Sequence, residues 1–398
     1  MMTNYDVLMN STEEECCKLL EEWKESWAKD VLHSRGYDDR QRDCRKDKQM
    51  NVIERMDAIN ADKRIADFRV KMKQPYDFKV RYAFTRVKEF VEECGKRDLN
   101  CHVSVGGLDS ITLYKFINDY CGFFVPGISA SSLEDVSIQR VHKELGVEVI
   151  RPYKSKVDVI KEFGYPILSK EIAAKIELLQ NPSEQNKTVR HAIITGETGE
   201  YGGNRTGSRM KLSQRWLELF GGYENHTENV NYKVPDFKVS SKCCYYLKEK
   251  PCDDWAKKHN SVPFLGLMAS EGGRRQKSLM INGCNYFGAS TIRSAPFAIF
   301  TRQDILQLAL DLNVHIPEIY GTIERKADGT LFTTGAQRTG CSFCGFGIQL
   351  EKRPHRFDRL YQSNPKEWKF WMYDQGWGHV LDYIGVDWRQ DYEQLKLF

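Results

Sequence analysis

Two short stretches of the sequence combine glycines with side chains that can do chemistry. Residues 101–110 read CHVSVGGLDS, in which two adjacent glycines precede an acid and a hydroxyl. Residues 339–347 read TGCSFCGFG, in which two cysteines are separated by two residues. Glycine loses more conformational freedom on folding than any other residue, so these clusters indicate turns where the backbone must come close to something.

The pair Gly106 and Gly107 follows a β-like run and precedes a helical run, DSITLYKFINDY. In a strand-turn-helix unit, glycines let the backbone approach a ligand, and the first amides of the helix favour a phosphate. We therefore predict a phosphate site to which Ser104 and Ser110 add hydrogen bonds. Because a bare carboxylate repels phosphate, we expect Asp109 either to cap the helix, a role that Ser110 also fits, or to hold Mg²⁺. A purely structural turn is the alternative.

The cysteines form a second constellation. Twelve cysteines in 398 residues without an export signal favour reduced thiols or metal ligation over disulfides. Cys243 and Cys244 are adjacent, and 96 residues lie between Cys244 and the CxxC pair of Cys341 and Cys344. Four thiolates saturate a [4Fe-4S] cluster, which we favour, although zinc accepts the same set and four packed thiols are a third interpretation. Cys284 either replaces one of the adjacent pair as a ligand or is a free thiol that handles sulfur.

The elements that must position these residues follow from the pattern along the chain. Over residues 81–325, short β-like runs alternate with segments long enough for crossover helices, which predicts an α/β domain with a mostly parallel sheet wrapped by helices. The β-like runs are NCHVSV, VEVIRPY, AIITGE and VPFLGLMA. Residues 1–80 are charge-rich with apolar residues at helical spacing, which predicts an N-terminal helical extension. We expect residues 326–398 to form a C-terminal, cysteine-rich and aromatic-rich region that binds the cluster.

Composition excludes other classes of protein. With 41% hydrophobic and 29% charged residues the chain is typical of globular proteins, and no apolar run approaches the roughly 18–20 residues of a membrane span. The first residues lack the basic flank and apolar stretch of a signal peptide, so we expect a cytoplasmic protein without a membrane partner. A net charge of +4 from 59 basic and 55 acidic residues does not by itself indicate nucleic-acid binding. The oligomeric state is left open.

The stretch VGGLDS resembles the SGGxDS loop of the PP-loop ATP pyrophosphatases, the superfamily that includes the adenylyl-sulfate (APS) and phosphoadenylyl-sulfate (PAPS) reductases. Val105 stands where that loop usually has its first serine, with Ser104 one residue earlier. Further segments resemble the reductase-like branch and follow in its usual order, so that the resemblance covers most of residues 98–350. These segments are KEFGYPILSKEIAAKI, SEGGRRQKSLMINGC, FAIFTRQDILQLAL and IPEIYG.

This resemblance implies an adenine-nucleotide alpha-hydrolase-like fold, in which the loop binds ATP, PAPS or APS over the carboxyl ends of a parallel sheet. It also implies nucleotide contacts from Glu271 and Arg274, because SEGGR is similar to the family's ES..R motif; a solvated charge pair is the alternative. The Cys-Cys and CxxC pattern resembles the [4Fe-4S] site of the APS reductase branch.

The family's activities differ in how the nucleotide is used. APS reductases rely on a mobile C-terminal cysteine, whereas this sequence has no cysteine after Cys344. The loop also resembles the ATP-cleaving members more closely. We therefore expect ATP-dependent adenylation of an acceptor followed by transfer of sulfur from a donor, with catalytic roles for Asp109, Ser110 and Cys284. The alternatives are a PAPS or APS reductase served by an external thiol-reducing protein, and a non-catalytic nucleotide-binding interaction protein.

The acceptor is not defined by the sequence. Residues 351–371, EKRPHRFDRLYQSNPKEWKFW, interleave basic and aromatic side chains in a way that would suit a nucleic-acid acceptor. Phe357, Leu360 and Tyr361 also fit the apolar face of one helix. We favour a helix packed on the cysteine-rich region over a nucleic-acid platform.

Overall fold

A computed structural model describes residues 52–198, 210–221, 233–289 and 291–390, without the side chains of residues 52–61 and Arg274. By its internal contacts the chain divides into a unit that ends at Asn60 and a unit that begins at Ala61. Most of the predicted helical extension lies outside the described residues. Its described part contains helix α1 (Val52–Met72) and the beginning of α2 (Tyr76–Lys96).

Strands and helices alternate between residues 100 and 180, and the rest of the described chain contains runs of helices and runs of strands. The described strands are β1 (Asn100–Ser104), β2 (Gly127–Ser129), β3 (Glu148–Val149), β4 (Ile167–Leu168), β5 (Ser261–Phe264), β6 (Asn285–Phe287), β7 (Ile292–Ser294), β8 (Ile323–Arg325), β9 (Leu331–Thr333) and β10 (Gly345–Phe346). The further helices are α3 (Leu108–Lys115), α4 (Val136–Glu144), α5 (Lys156–Phe163), α6 (Lys170–Gln180), α7 (Lys187–Thr195), α8 (Gln214–Phe220), α9 (Lys250–Lys258), α10 (Gly273–Asn282), α11 (Arg302–Asp311), α12 (Arg356–Ser363), α13 (Pro365–Lys369) and α14 (Trp377–Ile384). No helix in these ranges is both long and apolar enough to cross a membrane.

The central sheet has six strands in the order β3-β2-β1-β5-β7-β6, and only the β6–β7 pair is antiparallel. This arrangement confirms the predicted α/β class with a mostly parallel sheet. Strand β1 is central, since Val103 pairs with Gly127 on one side and Phe264 on the other. The turn after β1 therefore leaves the sheet at its carboxyl edge, where open α/β sheets bind ligands.

The predicted β-like runs have different outcomes. NCHVSV and VPFLGLMA supply β1 and β5, and VEVIRPY supplies only the two residues of β3. The strand predicted at AIITGE is wrong, because Ala192 to Thr195 complete helix α7, which Gly196 ends with a φ of 88°. A short apolar run does not distinguish a strand from the buried face of a helix, and here Ala192 and Ile193 are buried on the helix.

Two clusters of buried apolar side chains hold this unit together. The first cluster surrounds the central sheet and includes Val103, Phe264 and Phe297. The second cluster joins side chains between residues 130 and 247 to side chains between residues 343 and 388. Its backbone connection is the parallel β4–β10 pair, which sets Ile167 opposite Gly345. Helices α5 to α8 thus share one core with the C-terminal helices.

The basic and aromatic stretch at 351–371 forms helices α12 and α13. Phe357 is fully buried in the second cluster, and Leu360 and Tyr361 pack against that cluster. This confirms the predicted apolar helix face. Phe357, Trp368 and Trp371 of this stretch belong to the core of the second cluster, and a nucleic-acid acceptor stays a prediction.

Candidate functional site

The turn between β1 and α3 consists of Gly106 and Gly107, which we call the Gly-Gly turn. Ser104 is the last residue of β1, and Val105 is buried in the first cluster. Helix α3 begins at Leu108, with Gly107 at the N-cap position and no side-chain cap. The prediction that Asp109 or Ser110 caps this helix is therefore wrong, because the helix begins before either residue.

Hydrogen bonds from both sides brace the Gly-Gly turn. The Ser110 hydroxyl accepts from the Gly106 amide at 2.6 Å and donates to the Gly107 carbonyl at 2.9 Å. His142 Nε2 lies 2.8 Å from the Gly106 carbonyl, which can only accept, and Nδ1 lies 2.9 Å from the Ser131 hydroxyl. Burial lowers the pKa of His142, so the neutral ring with its proton on Nε2 fits both contacts. The turn is thus shaped before any ligand arrives.

A tyrosine hydroxyl lies at the mouth of the Gly-Gly turn. The amide of Leu108 donates to Tyr320 Oη at 3.1 Å, and this hydroxyl is 2.7 Å from Thr339 Oγ1. A β-carbon at Gly107 would collide with the Tyr320 hydroxyl. The close approach that Gly107 permits is therefore used within the chain, by Tyr320.

Asp109 forms an ion pair with Arg302, the first residue of α11. Burial raises the pKa of the Asp109 carboxyl, and the Arg302 guanidinium opposes that shift. The side chain of Asp109 is still 30% exposed. The predicted role of Asp109 in holding Mg²⁺ would require this carboxylate to turn from Arg302 toward a metal ion.

Glu271 lies at the same edge of the sheet as the Gly-Gly turn. Its carboxylate pairs with Arg275 at 2.6 Å and with Arg338 at 3.4 Å. Its charge adds to the raised pKa of Asp109, while Arg302, Arg338 and Arg275 lower it, in that order. Three guanidinium groups therefore accompany two carboxylates beside the turn. The side chain of Arg274, the other residue implied by the resemblance, lies outside the described residues, although its backbone belongs to α10.

The four predicted cysteine ligands come together. Cys243, Cys244, Cys341 and Cys344 line one small pocket, the cysteine pocket, and the Sγ atoms of the adjacent pair are 4.0 Å apart. A turn in which the Cys344 amide donates to the Cys341 carbonyl at 2.9 Å joins the second pair. The rest of the wall consists of Pro166, Leu247, Lys248 and Phe343. The segment around β4 brings the distant cysteine pairs together, because Ile167 pairs with Gly345 just after Cys344, and Tyr165 forms a parallel bridge with Val239 just before Cys243.

The electrostatics of the cysteine pocket favour a thiolate at one position. The Cys243 thiol, followed by the Lys170 and Lys248 ammonium groups, holds the pKa of Cys244 below the usual value for a thiol, against the effect of burial. Burial raises the pKa of Cys341 to about 11. Burial also disfavours the charged form of Lys248, but the Cys341 sulfur and the Glu134 carboxylate outweigh it and raise the pKa of that lysine. A cation is thus kept beside the thiols.

Cys284 lies elsewhere. It is 4% exposed in the first cluster, its Sγ is 3.7 Å from Tyr82 Oη, and burial raises its pKa to about 11. It does not line the cysteine pocket. The structure therefore does not bring Cys284 to the other four cysteines, and its thiol is disfavoured as a thiolate nucleophile where it stands.

The cysteine pocket presents four sulfur atoms that could bind a metal. In the described part of the chain, no group of three or more His, Cys, Asp or Glu side chains is placed to hold a metal ion. The four thiols share a wall without converging on one point, whereas a zinc site needs its sulfurs about 2.3 Å from one ion. An iron–sulfur cluster is likewise held by four Cys thiolates, but through its several irons. Four thiols that line one pocket are a donor set of the kind that zinc and iron–sulfur clusters both accept.

A partly buried ion pair connects the two sites. Lys248 in the cysteine pocket pairs with Glu134, whose carboxylate oxygen would lie 3.9 Å from a β-carbon at Gly106. Sequence reasoning missed both residues. Lys248 follows Cys244 by four positions, about one helical turn, and Glu134 follows the carboxyl end of β2, so each had a positional signal.

No protein-family model matches the chain, and no curated protein matches it. Its function is therefore inferred from the residues and their geometry.

Proposed function

We propose that this protein uses ATP to adenylate an acceptor and then replaces the activated oxygen with sulfur, beside a [4Fe-4S] cluster held by Cys243, Cys244, Cys341 and Cys344. The observation that carries the proposal is the Lys248–Glu134 pair, which puts the cysteine pocket within one ion pair of the Gly-Gly turn. The adenine-nucleotide alpha-hydrolase-like fold belongs to the same proposal. It is supported by the strand order and by a phosphate-type turn after the central strand.

In this proposal the Gly-Gly turn receives the phosphates of ATP. An oxygen of the acceptor attacks the α-phosphorus, and pyrophosphate leaves with the electrons of the broken bond. The guanidinium groups of Arg275, Arg302 and Arg338 lie beside the turn and offset the charge on that leaving group. Once phosphate draws Arg302 away, the Asp109 carboxylate becomes available to Mg²⁺. Sulfur from a donor then attacks the activated acceptor atom, and AMP departs.

At the second site the chain provides thiolates and neutralises them. Lys170 and Lys248 balance their negative charge, while Pro166, Leu247 and Phe343 limit the access of water. When bound, a [4Fe-4S] cluster with all four irons ligated by cysteine would supply electron exchange next to the activated acceptor, while the attacking sulfur comes from the donor.

The test is an assay of products with the full chain prepared without oxygen. We expect pyrophosphate and AMP from ATP when sulfide and a competent acceptor are present, with RNA and DNA oligonucleotides among the acceptors tried. Release of sulfite from PAPS or APS with a reduced dithiol protein, without pyrophosphate from ATP, would instead identify the reductase. Binding of ATP with neither product would identify a non-catalytic nucleotide-binding protein.

The cluster makes a separate prediction about composition. Anaerobically prepared protein should contain about four iron atoms per chain and absorb broadly in the visible range. Cys341→Ser and Cys344→Ser should each remove the iron and the colour, because each deletes one of four ligands. Cys252→Ser and Cys284→Ser are the matched controls and should keep both, since neither thiol lines the cysteine pocket. A colourless protein with one tightly bound zinc would overturn the cluster.

A further inference from the structure

Tyr320 occupies a donor that a phosphate would need. Leu108 is the first residue of α3, and its amide is among the N–H groups that a helix leaves without a partner inside itself. Phosphates bind such amides at helix N-termini. In this structure the amide donates to Tyr320 Oη at 3.1 Å. A neutral phenol thus takes the place of an anionic oxygen.

The tyrosine is held firmly in this place. Its side chain is 3% exposed and belongs to the first cluster. Its carbonyl accepts from the Gly335 amide at 2.9 Å, across the β8–β9 hairpin. Its hydroxyl reaches Thr339 Oγ1 at 2.7 Å. The packing of the ring and the backbone hydrogen bond therefore keep Tyr320 beside the turn, while its hydroxyl is held there by hydrogen bonds, which can exchange partners.

Thr339 belongs to a segment that crosses beside the Gly-Gly turn and runs into the cysteine pocket. We call residues 337–340 the strap. The Gln337 carbonyl accepts from Arg302 at 3.4 Å, and Arg338 pairs with Glu271 at 3.4 Å. The next residue after the strap is Cys341. Both contacts join the strap to residues beside the Gly-Gly turn, and the strap leads directly into Cys341.

We infer that Tyr320 and Thr339 are positioning residues that couple the Gly-Gly turn to the CxxC pair. A phosphate on the turn takes the Leu108 amide, the Tyr320 hydroxyl withdraws from it, and the Tyr320–Thr339 bond breaks or shifts. The strap then moves, and Cys341 moves with it. This inference rests on the proposed nucleotide site and adds a route by which the binding of ATP changes the position of Cys341 in the cysteine pocket.

The affinity for ATP measures the first step, in which phosphate displaces the Tyr320 hydroxyl from the Leu108 amide. Calorimetric titration of the full, anaerobically prepared chain with ATP should give about fivefold tighter binding for Tyr320→Phe than for the unaltered protein, because ATP no longer competes with a hydroxyl for the Leu108 amide. Tyr114→Phe is the matched control and should bind as the unaltered protein does. Tyr114 lies on α3, the helix that begins at Leu108, but its hydroxyl donates to the Leu145 carbonyl at 3.2 Å, away from the turn.

Amide hydrogen exchange measures the second step. ATP should speed exchange at the amides of residues 338–344 in the unaltered protein, since the strap loses its tie to Tyr320. Thr339→Val keeps the shape of the side chain but removes that tie, so exchange there should already be fast without ATP and change little when ATP is added. A purely structural role for Thr339 would not remove the response to ATP.

Two results would overturn the inference, and they differ in what they say about function. If Tyr320→Phe binds ATP as tightly as the unaltered protein, the hydroxyl does not compete with ATP. If it binds ATP more weakly, the hydroxyl is a nucleotide ligand. In both cases the nucleotide site itself survives. If neither protein binds ATP or inorganic pyrophosphate, the coupling and the proposed nucleotide function fail together.

Discussion

The Gly-Gly turn and the cysteine pocket are built in opposite ways. The turn is made from contiguous residues at the end of one central strand, and Ser110 and His142 brace it through short hydrogen bonds. The pocket is made from two segments almost a hundred residues apart, which meet through the β4–β10 pair and the second cluster. The turn should therefore depend on local backbone geometry, and the pocket on distant packing.

Trp377 offers the strongest way to test this difference. It is fully buried, and a β-carbon at Gly345 would lie 2.6 Å from its ring, so the ring packs directly on the strand that follows Cys344. Trp377→Ala should lower the free energy of unfolding by about 3–5 kcal/mol, because it leaves a cavity in the second cluster. Denaturant unfolding measures this loss, and bound iron should fall with it while ATP binding persists.

Two variants keep that test decisive. Trp377→Phe preserves an aromatic ring, and since Nε1 of Trp377 has no hydrogen-bond partner among the described residues, the change leaves no polar group unpaired. It should cost less than the alanine variant and retain iron. Phe116→Ala places a similar cavity in the first cluster. Equal loss of iron in both alanine variants would mean that the two regions do not differ as described.

The two glycines of the turn give a smaller and more local contrast. Gly107→Ala should destabilise the protein by about 2 kcal/mol, because the new methyl group collides with the Tyr320 hydroxyl and forces it aside. At Gly106 a β-carbon would meet only Ser110 Oγ at 3.7 Å and Glu134 at 3.9 Å, which are ordinary contacts. Gly106→Ala should therefore stay within about 0.5 kcal/mol of the unaltered protein. Thermal unfolding of the pair measures the difference, and equal stabilities would contradict this account of the turn.

The sequence predicts the turn and the cysteine grouping better than it predicts their surroundings. Gly106, Gly107 and the CxxC pair are visible because glycine and cysteine are costly and their spacing is unusual. Tyr320 is not visible as a site residue, because it reaches the turn through tertiary packing rather than through spacing from the nearest motif, whereas Lys248 stands about one helical turn after Cys244 and could have been found from that spacing. The sequence assigns Gly107 to the approach of a ligand, whereas the structure shows that a tyrosine of the same chain makes that approach.

Helical and strand preferences explain the remaining differences in the fold. The mostly parallel sheet follows from alternating runs, but AIITGE forms the end of a helix because its apolar residues pack on the second cluster. Local pattern also does not show that residues before and after the central strand β5 share one core. The joining of these residues in one core depends on the β4–β10 pairing, in which each strand has only two residues.

Acid should weaken the region of the turn in a way that depends on His102. This residue of β1 is 2% exposed, its Nδ1 is 2.8 Å from the Ser261 hydroxyl, and burial, aided by the charge of His259, lowers its pKa to about 4. The unfolded chain binds the proton near the ordinary histidine pKa of about 6.5, so stability is present above that pH and is lost as the pH falls toward 4. At pH 5.5 the loss from His102 should be about 1 kcal/mol.

The measurement is the free energy of unfolding at pH 7.5 and pH 5.5 for three proteins. In the unaltered protein it should fall between these values, and His142, whose pKa burial also lowers, contributes with the same sign. His102→Gln should reduce the fall by about 1 kcal/mol, since glutamine does not titrate. His315→Gln is the control, because that exposed ring pairs with Glu144 at 2.6 Å on the surface. An undiminished fall in His102→Gln would assign the acid sensitivity to other groups and leave β1 without a special role in it.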